Sequence, residues 1–193
     1  MSQTLSTWRT TPGNKTLGIE IEGYKRNPQY YEYNGFFYST RDGSLNEPPK
    51  WGMYGVEMVS QPLTPCWLKK EIKKLEKKDI WQVNGTCGIH IHVNRKWLSE
   101  KKAKKISSFL SSLSDDDWIL FFGRKSNDYC KKTWDKESRY SAINVSNTHT
   151  IEFRMFSSGH AQWACYCVDM AVYLIENANH LNVHAMEAFR AGY

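Results

Sequence analysis

The chain has no apolar run approaching the ~20 residues that a membrane-spanning helix needs. Its first residues, Met1-Ser2-Gln3-Thr4-Leu5, lack the apolar stretch of a secretory signal. The expectation is a cytoplasmic protein with no membrane role. Cysteine is sparse and odd in number: Cys66, Cys87, Cys130, Cys165 and Cys167, with no C-x-x-C pair among them. A disulfide-framed mini-domain is therefore not expected, and free, largely buried thiols are. Internal repeats, low-complexity linkers and a composition shift that would mark a second domain are also lacking.

What is present is globular. Of 193 residues, 40% are hydrophobic and 24% charged, enough for one domain spanning residues 1–193 with a proper core. The net charge of +6 is concentrated in two lysine-rich segments. Lys69, Lys70, Lys73, Lys74, Lys77 and Lys78 surround Leu68, Ile72 and Leu75 at helical spacing. Lys101, Lys102, Lys104 and Lys105 accompany Ala103, Ile106, Leu110 and Leu113 in the same way. Both read as amphipathic helices with lysines on the wet face; attraction of an acidic partner, nucleic acid included, stays open.

Strands are expected around Leu17 to Tyr24, Phe36 to Thr40, Tyr54 to Ser60 and within Val83 to Val93, with a loop before Phe36 running through Asn34. Pro65 suits the first turn of the first lysine-rich helix. Ser99 and Ser114 read as N-caps, and Asp115, Asp116 and Asp117 fill a first helical turn where the dipole favours anions. Tyr140 to Val145 and His149 to Phe156 read as a hairpin turning at Ser146-Asn147-Thr148. Ala161 to Leu181 reads as one long apolar helix, on which Cys165 and Cys167 diverge. Strands separated by helices and a hairpin imply an α+β design, a mixed or antiparallel sheet with helices on one face.

Three stretches alternate ionisable with bulky apolar residues: Gly18-Ile19-Glu20-Ile21-Glu22-Gly23, Cys87-Gly88-Ile89-His90-Ile91-His92-Val93, and Thr150-Ile151-Glu152-Phe153-Arg154-Met155-Phe156. On strands, successive side chains point to opposite faces, so one face would carry Glu20, Glu22, His90, His92, Glu152 and Arg154. Each stretch has a plainer explanation. Alternating acids usually mark the solvent face of a strand, and Glu152 with Arg154 could be a surface ion pair of little energetic weight. Glu-x-Glu on a strand also aims two carboxylates at divalent cations, which prefer oxygen ligands. Glu57 is a single acid in an apolar strand, and Asp42 lies in the turn Asp42-Gly43-Ser44, where turn chemistry accounts for it.

His90-Ile91-His92 fits several metal folds poorly. A metallo-β-lactamase would continue with an Asp-His pair, whereas Val93-Asn94-Arg95 follows. A cupin would place a Glu a few residues on, and Glu100 is too far. A TIM-barrel amidohydrolase needs a longer chain. Taken jointly, the acids, two histidines and an arginine on separate strands suit two divalent cations and a nucleotide triphosphate. Packed carboxylates raise one another's pKa unless cations neutralise them, and arginine suits phosphate.

The ordered set Gly-x-Glu-x-Glu, Asp-Gly-Ser-Leu, Gly-Val-Glu-Met-Val-Ser-x-Pro-Leu, Cys-Gly-Ile-His-Ile-His-Val and Ile-Glu-Phe-Arg-x-Phe, from about Leu17 to Phe156, resembles the amidoligase family. This is a compact branch of the glutamine synthetase and glutamate–cysteine ligase superfamily. Asn84-Gly85 ahead of the histidine segment is similar to the corresponding part of glutamine synthetases. The resemblance implies a single-domain, glutamine-synthetase-like curved antiparallel sheet binding ATP with two Mg²⁺ or Mn²⁺. It implies that Glu20, His90 and Glu152 hold one cation and Glu22 with Glu57 the other. Arg154 would contact the transferring phosphate, His92 would lie near the nucleotide phosphates, and Arg124 and Arg139 would supply further basic groups to the nucleotide. Turnover would then depend on Arg154, Glu57 and Glu152. The chain lacks the additional domains of glutamine synthetases, so their substrate and regulation do not carry over.

The activity so implied is an ATP-dependent carboxylate–amine ligase forming an amide or isopeptide bond through an acyl phosphate. Two alternatives stay open: a non-catalytic nucleotide- or metal-binding accessory protein, viral ones included, and a His-metal hydrolase. The carboxylate and the amine could each come from an amino acid, a peptide, a protein or a modified base. Tyr30 to Tyr38 and Phe121 to Trp134 are the stretches where specificity is expected.

Overall fold

The computed structural model describes residues 15–26, 28, 33–45, 48–78 and 82–193. The strands are β1 (Leu17–Arg26), β2 (Tyr33–Asn34), β3 (Phe37–Arg41), β4 (Met53–Ser60), β5 (Gly88–Asn94), β6 (Ile143–Asn144) and β7 (Thr150–Ser157). The helices are α1 (Pro65–Lys78), α2 (Glu100–Ser112), α3 (Asp115–Phe122), α4 (Ala161–Glu176) and α5 (Val183–Ala191). The strands form one sheet in the order β2-β3-β4-β1-β5-β7-β6, and every pairing is antiparallel. The α+β class expected from the sequence is therefore observed.

The period-2 pattern divides the sheet into two chemically different faces. Leu17, Ile19 and Ile21 from β1, Met58 from β4, Ile89, Ile91 and Val93 from β5, and Ile151 and Phe153 from β7 join one buried cluster with residues of all five helices. α1 lies against β1, α3 against β7 and α4 against β5. The ionisable residues of the same strands fall on the other face.

The helices start where the chain's capping chemistry says they should. α1 opens on Pro65, buries Leu68, Ile72 and Leu75, and exposes Lys70, Lys73 and Lys74. Lys69 instead pairs with Asp169 of α4 at 2.6 Å. Ser99 caps α2 by accepting from the Lys102 N–H. Ser114 and Asp117 cap each other's backbone at the start of α3, so the acidic triplet is capping chemistry. Cys165 and Cys167 are both buried core thiols. No helix among the described residues is long and apolar enough to cross a membrane.

Three local features differ from the sequence reading. The loop expected before Phe36 contains β2, which pairs with β3 through a turn at Gly35 and Phe36; Gly35 has φ 67°. The long C-terminal helix stops at Glu176, where Asn177 caps it through the Tyr173 carbonyl, and Asn182 starts α5 by accepting from the Ala185 N–H. The apolar periodicity runs through both asparagines and conceals the break. The β6–β7 hairpin is wider than a three-residue turn would make it, pairing Asn144 with Glu152. Its loop is held by Asn144 Oδ1 accepting from Ser146 N–H, by Asn147 Oδ1 accepting from His149 N–H, and by the Arg95 guanidinium on the Val145 and Asn147 carbonyls.

Candidate metal and anion site

Cross-strand register alone assembles the ionisable face. Glu22 of β1 sits opposite Glu57 of β4, Glu20 opposite His90 of β5, and His92 opposite Glu152 of β7. Glu152 in turn faces Asn144 of β6, whose side-chain amide donates to Glu152 Oε2 at 2.7 Å. A bulge shifts the β5–β7 register between Ile89 and Ile91, so that Arg154 and Met155 together oppose His90. Arg154 shares the face of Glu152 by plain alternation, and the extra residue lets the consecutive Met155 and Phe156 both pack into the core. Arg154 Nη1 donates to Glu152 Oε1 at 2.6 Å.

The ligand-type atoms separate into two groups that could each hold a metal ion. Glu20, His92 and Glu152 form one, with donor atoms all within 4.8 Å of one another; Glu22, Asp42 and Glu57 form the other. His90 lies between them. Its Nδ1 is 3.3 Å from both Glu20 Oε2 and Glu152 Oε1, and its Nε2 is 3.5 Å from Glu22 Oε1. His90 thus touches both carboxylates with which the resemblance groups it, Glu20 and Glu152. His92 closes the triad with Glu20 and Glu152, and His90 bridges the two groups.

Asp42 reaches the second group because two loops fold down onto the ionisable face. Tyr24, Leu45 and Cys87 form a small second core there, joined by Met53 and Val83. The Asp42 N–H bonds the Gly55 carbonyl at 3.2 Å, and a Cβ on Gly55 would come within 2.6 Å of the Asp42 carbonyl oxygen and 2.8 Å of Leu45 Cβ. Only glycine permits that approach. Asp42 also does the turn work read from the sequence, as its Oδ1 accepts from the Ser44 N–H and hydroxyl at 2.8 and 2.6 Å. Its Oδ2 is left for the site. On the other side, the Gly88 N–H donates to Glu22 Oε2 at 2.6 Å, and the Ser158 hydroxyl donates to the Glu22 carbonyl.

Charge crowding shows in the acidities. Burial, then repulsion from Glu20, Asp42 and Glu22, pushes the Glu57 carboxyl up to about 7. Burial also raises Glu22, against the opposing pull of His90 and the Gly88 N–H. Burial would raise Glu20 too, but the His90 and His92 imidazoles beside it outweigh burial and hold this carboxyl well below the usual range. For His92 burial favours the neutral ring, and Glu20 reverses that to leave the imidazole more basic than usual.

Six buried side-chain polar atoms lack a hydrogen-bond partner among the described residues. Five border this face: Asp42 Oδ2, His92 Nε2, Arg124 Nε, Arg154 Nε and Thr150 Oγ1. His92 Nε2 is 3.2 Å from Glu20 Oε1 yet not aligned for a hydrogen bond. Native proteins rarely leave such atoms unsatisfied, and one orphan falls in each ligand triad. Oxygen-rich triads with an unused donor atom apiece fit hard divalent cations such as Mg²⁺ or Mn²⁺.

Two cavities flank the acids. One of about 420 Å³ is bordered by Glu22, His90, Arg124 and Arg154 together with Thr86 and Tyr129. The second, about 300 Å³, is lined by Glu20, His92 and Thr150 together with Gly18, Val59 and Pro62. Arg124 follows Gly123, the left-handed cap of α3, and its guanidinium rests on Gly88, where a Cβ would lie 3.1 Å from Nη1.

Of the residues singled out in the sequence, Glu20, Glu22, Glu57, His90, His92, Glu152, Arg154 and Arg124 are brought together. Arg139 is not among the groups bordering either cavity; it is exposed and stacks on Tyr140 at 5.5 Å. The segment Phe121 to Trp134 contributes Asn127, Asp128 and Tyr129 to the larger cavity. Of Tyr30 to Tyr38, residues 30–32 lie outside the described residues, and the rest forms β2, its turn and the start of β3. The sequence reading missed Asn144 and undervalued Asp42. A signal existed for Asn144 in the hairpin, since strand alternation from Glu152 reaches it once the register is known. No protein-family model matches the chain, and no curated protein matches it in sequence.

Proposed function

We propose that this protein is an ATP-dependent carboxylate–amine ligase with a glutamine-synthetase-like fold, related to the amidoligases its motif order resembles. The observation that carries the reading is the pairing of two ligand triads with two free-sided guanidinium groups across one sheet face. Triads of this kind suit two cations. Arg154 and Arg124 suit the phosphate oxygens those cations would bind. The cavity beyond Glu20 and His92 is largely apolar-walled and suits a nucleoside, while the polar cavity past Arg124 suits the acid substrate.

In this reading the γ-phosphoryl group of ATP passes to a substrate carboxylate, giving an acyl phosphate and ADP. An amine then attacks the acyl carbon, an amide forms, and phosphate leaves with a proton lost from the amine. Two divalent cations at the triads supply charge neutralisation for the phosphate oxygens. Arg154 is positioned by Glu152 to meet the transferring group with its free Nε side. Asn144 fixes the other Glu152 oxygen, so that this carboxylate cannot swing away. Glu57 must be ionised to act as a ligand, which its crowding by Glu20, Asp42 and Glu22 opposes until a cation binds.

The test is ADP release by purified protein with Mg²⁺ and ATP across a panel of carboxylic acids and amines. Acid- and amine-dependent ADP release, lost in Glu57→Gln and Glu152→Gln, is expected. Thermal stabilisation by Mg²⁺ and ATP without turnover on any pair would favour a binding module. Turnover without nucleotide, with zinc in the purified protein, would favour a hydrolase.

A further inference from the structure

The sixth unpartnered buried atom lies elsewhere. Arg190 Nη1, on α5, is shielded from solvent and bonds to no group. It borders a separate cavity of about 550 Å³ whose other walls include Trp163, Tyr166 and Tyr193, with Gly123 and Gly159 at its edge.

The aromatic wall is fixed, and its polar tips are already engaged. Trp163 stacks on Tyr166 with ring centroids 4.9 Å apart and 22° between planes, and Tyr193 meets Tyr166 edge-on at 5.2 Å. The Trp163 indole N–H donates to the Ser157 carbonyl at 2.8 Å, and the Tyr166 hydroxyl to the Phe121 carbonyl at 3.1 Å. The Tyr193 hydroxyl is bonded to Asp169. None of the three rings has a spare donor, so each offers the cavity only apolar surface. Trp163 is also locked from behind: a Cβ at Gly159 would lie 2.7 Å from its Cδ1, and one at Gly123 2.9 Å from its Cζ2. Against this wall Arg190, which lines the same cavity, supplies a positive charge.

We propose that this cavity is a second ligand site, for a flat apolar molecule bearing one anionic group: an aromatic carboxylate whose ring lies on the Trp163–Tyr166 wall and whose carboxylate is taken by Arg190. Charge complementarity sets the anion and the rigid rings set the flat body. The site is independent of the ligase reading, because it uses none of the triad residues or Arg154. It does adjoin the larger catalytic-face cavity, since Gly123 precedes Arg124 and the neighbouring Ser158 holds the Glu22 carbonyl.

The probe is 2-naphthoate, compared with its neutral isostere 2-naphthamide, titrated into the full chain without nucleotide or metal. Binding is read from the ¹⁵N-indole resonance of Trp163, identified by its loss in Trp163→Phe. Saturable naphthoate binding that shifts this resonance is expected, with affinity at least tenfold weaker for the amide and for Arg190→Gln. A variant that fails to fold is recognised by its amide spectrum, and the acid–amide comparison on wild-type protein then carries the test alone. Equal affinity for acid and amide, an unaltered naphthoate affinity in folded Arg190→Gln, or no movement of the Trp163 resonance at millimolar probe would each overturn the proposal.

Discussion

Glu22 and Glu57 are direct register partners across the β1–β4 ladder, two carboxylates on one sheet face with Asp42 closing the group. Like charges directly opposite one another destabilise a sheet pair, and here both carboxyls are pushed upward by burial and by neighbouring acids. The arrangement opposes folding in the absence of a counter-charge.

Replacing Glu57 by Gln removes one charge from the group while keeping the side-chain shape. In EDTA at pH 8, Glu57→Gln is expected to be more stable than wild type by on the order of 2 kcal/mol, with partial solvent screening already allowed for. With millimolar Mg²⁺ the order reverses, because the wild type gains a ligand-binding contribution the variant lacks. Urea unfolding with and without the cation measures both. An unchanged ranking on adding Mg²⁺ would remove Glu57 from any cation site.

The pH dependence of the cation-free protein follows from the same groups. A glutamate in the unfolded chain titrates near 4.5, while folded Glu57 is raised to about 7. Its contribution to stability is therefore fully present below about 4.5 and is lost as pH rises through 7. Glu22 and His92 are also raised and act in the same direction. Glu20 is lowered, so its contribution is present above about 4.5 and disappears only in strong acid. The melting temperature in EDTA is expected to fall steadily from pH 5 to pH 8, and a rise over that range would contradict the crowding.

Cation binding at pH 6.5 should release protons, since Glu57 is then largely protonated in the free protein. Calorimetric titration of Mg²⁺ in two buffers of different ionisation enthalpy reads the number released. The release is expected to be larger at pH 6.5 than at pH 8.5 and to be reduced in Glu57→Gln, where only Glu22 and His92 still supply protons.

Gly55→Ala tests how Asp42 is delivered. The added methyl meets a backbone oxygen at 2.6 Å, which cannot move without lifting the loop that carries Asp42 and Leu45. A loss of about 1–3 kcal/mol is expected from overpacking, together with at least tenfold weaker Mg²⁺ binding. Gly43→Ala, where nothing lies within 4 Å of the new methyl, should leave both nearly unchanged. Similar Mg²⁺ affinity in the two variants would separate Asp42 from the site.

Much of this face was legible in the chain because strand alternation is a strict rule. Once Ile19, Ile21, Ile89 and Ile91 are assigned to a core, Glu20, Glu22, His90 and His92 have no alternative but the opposite side. What alternation cannot supply is register and loop path. The triad membership of His92 depends on its being opposite Glu152, which follows from a bulge that no local pattern in β7 announces. Asp42 reads as an ordinary turn residue, and it is one; its second oxygen matters only because Gly55 lets the turn lie flat on β4. The break between α4 and α5 was hidden for a related reason, as two asparagine caps interrupt an apolar period that otherwise continues.

The position of β1 in the sheet has a bearing on how the chain acquires its structure. β1 lies between β4 and β5 and precedes both in the chain, so it waits for partners made later. Glu22 is bonded through its side chain to a residue 66 positions away and through its carbonyl to one 136 positions away. Contacts so remote in sequence make for slow folding, because loop closure must precede any gain from pairing. During synthesis the strand bearing Glu20 and Glu22 emerges well before the histidine and arginine that balance it. A fragment ending before β7 would hold both glutamates and both histidines but lack Arg154 and the third ligand, Glu152, of the Glu20–His92 group. Truncation from the C-terminal side at β7 should therefore take away the cation held by Glu20, His92 and Glu152, while every ligand of the Glu22–Asp42–Glu57 group is still in the chain.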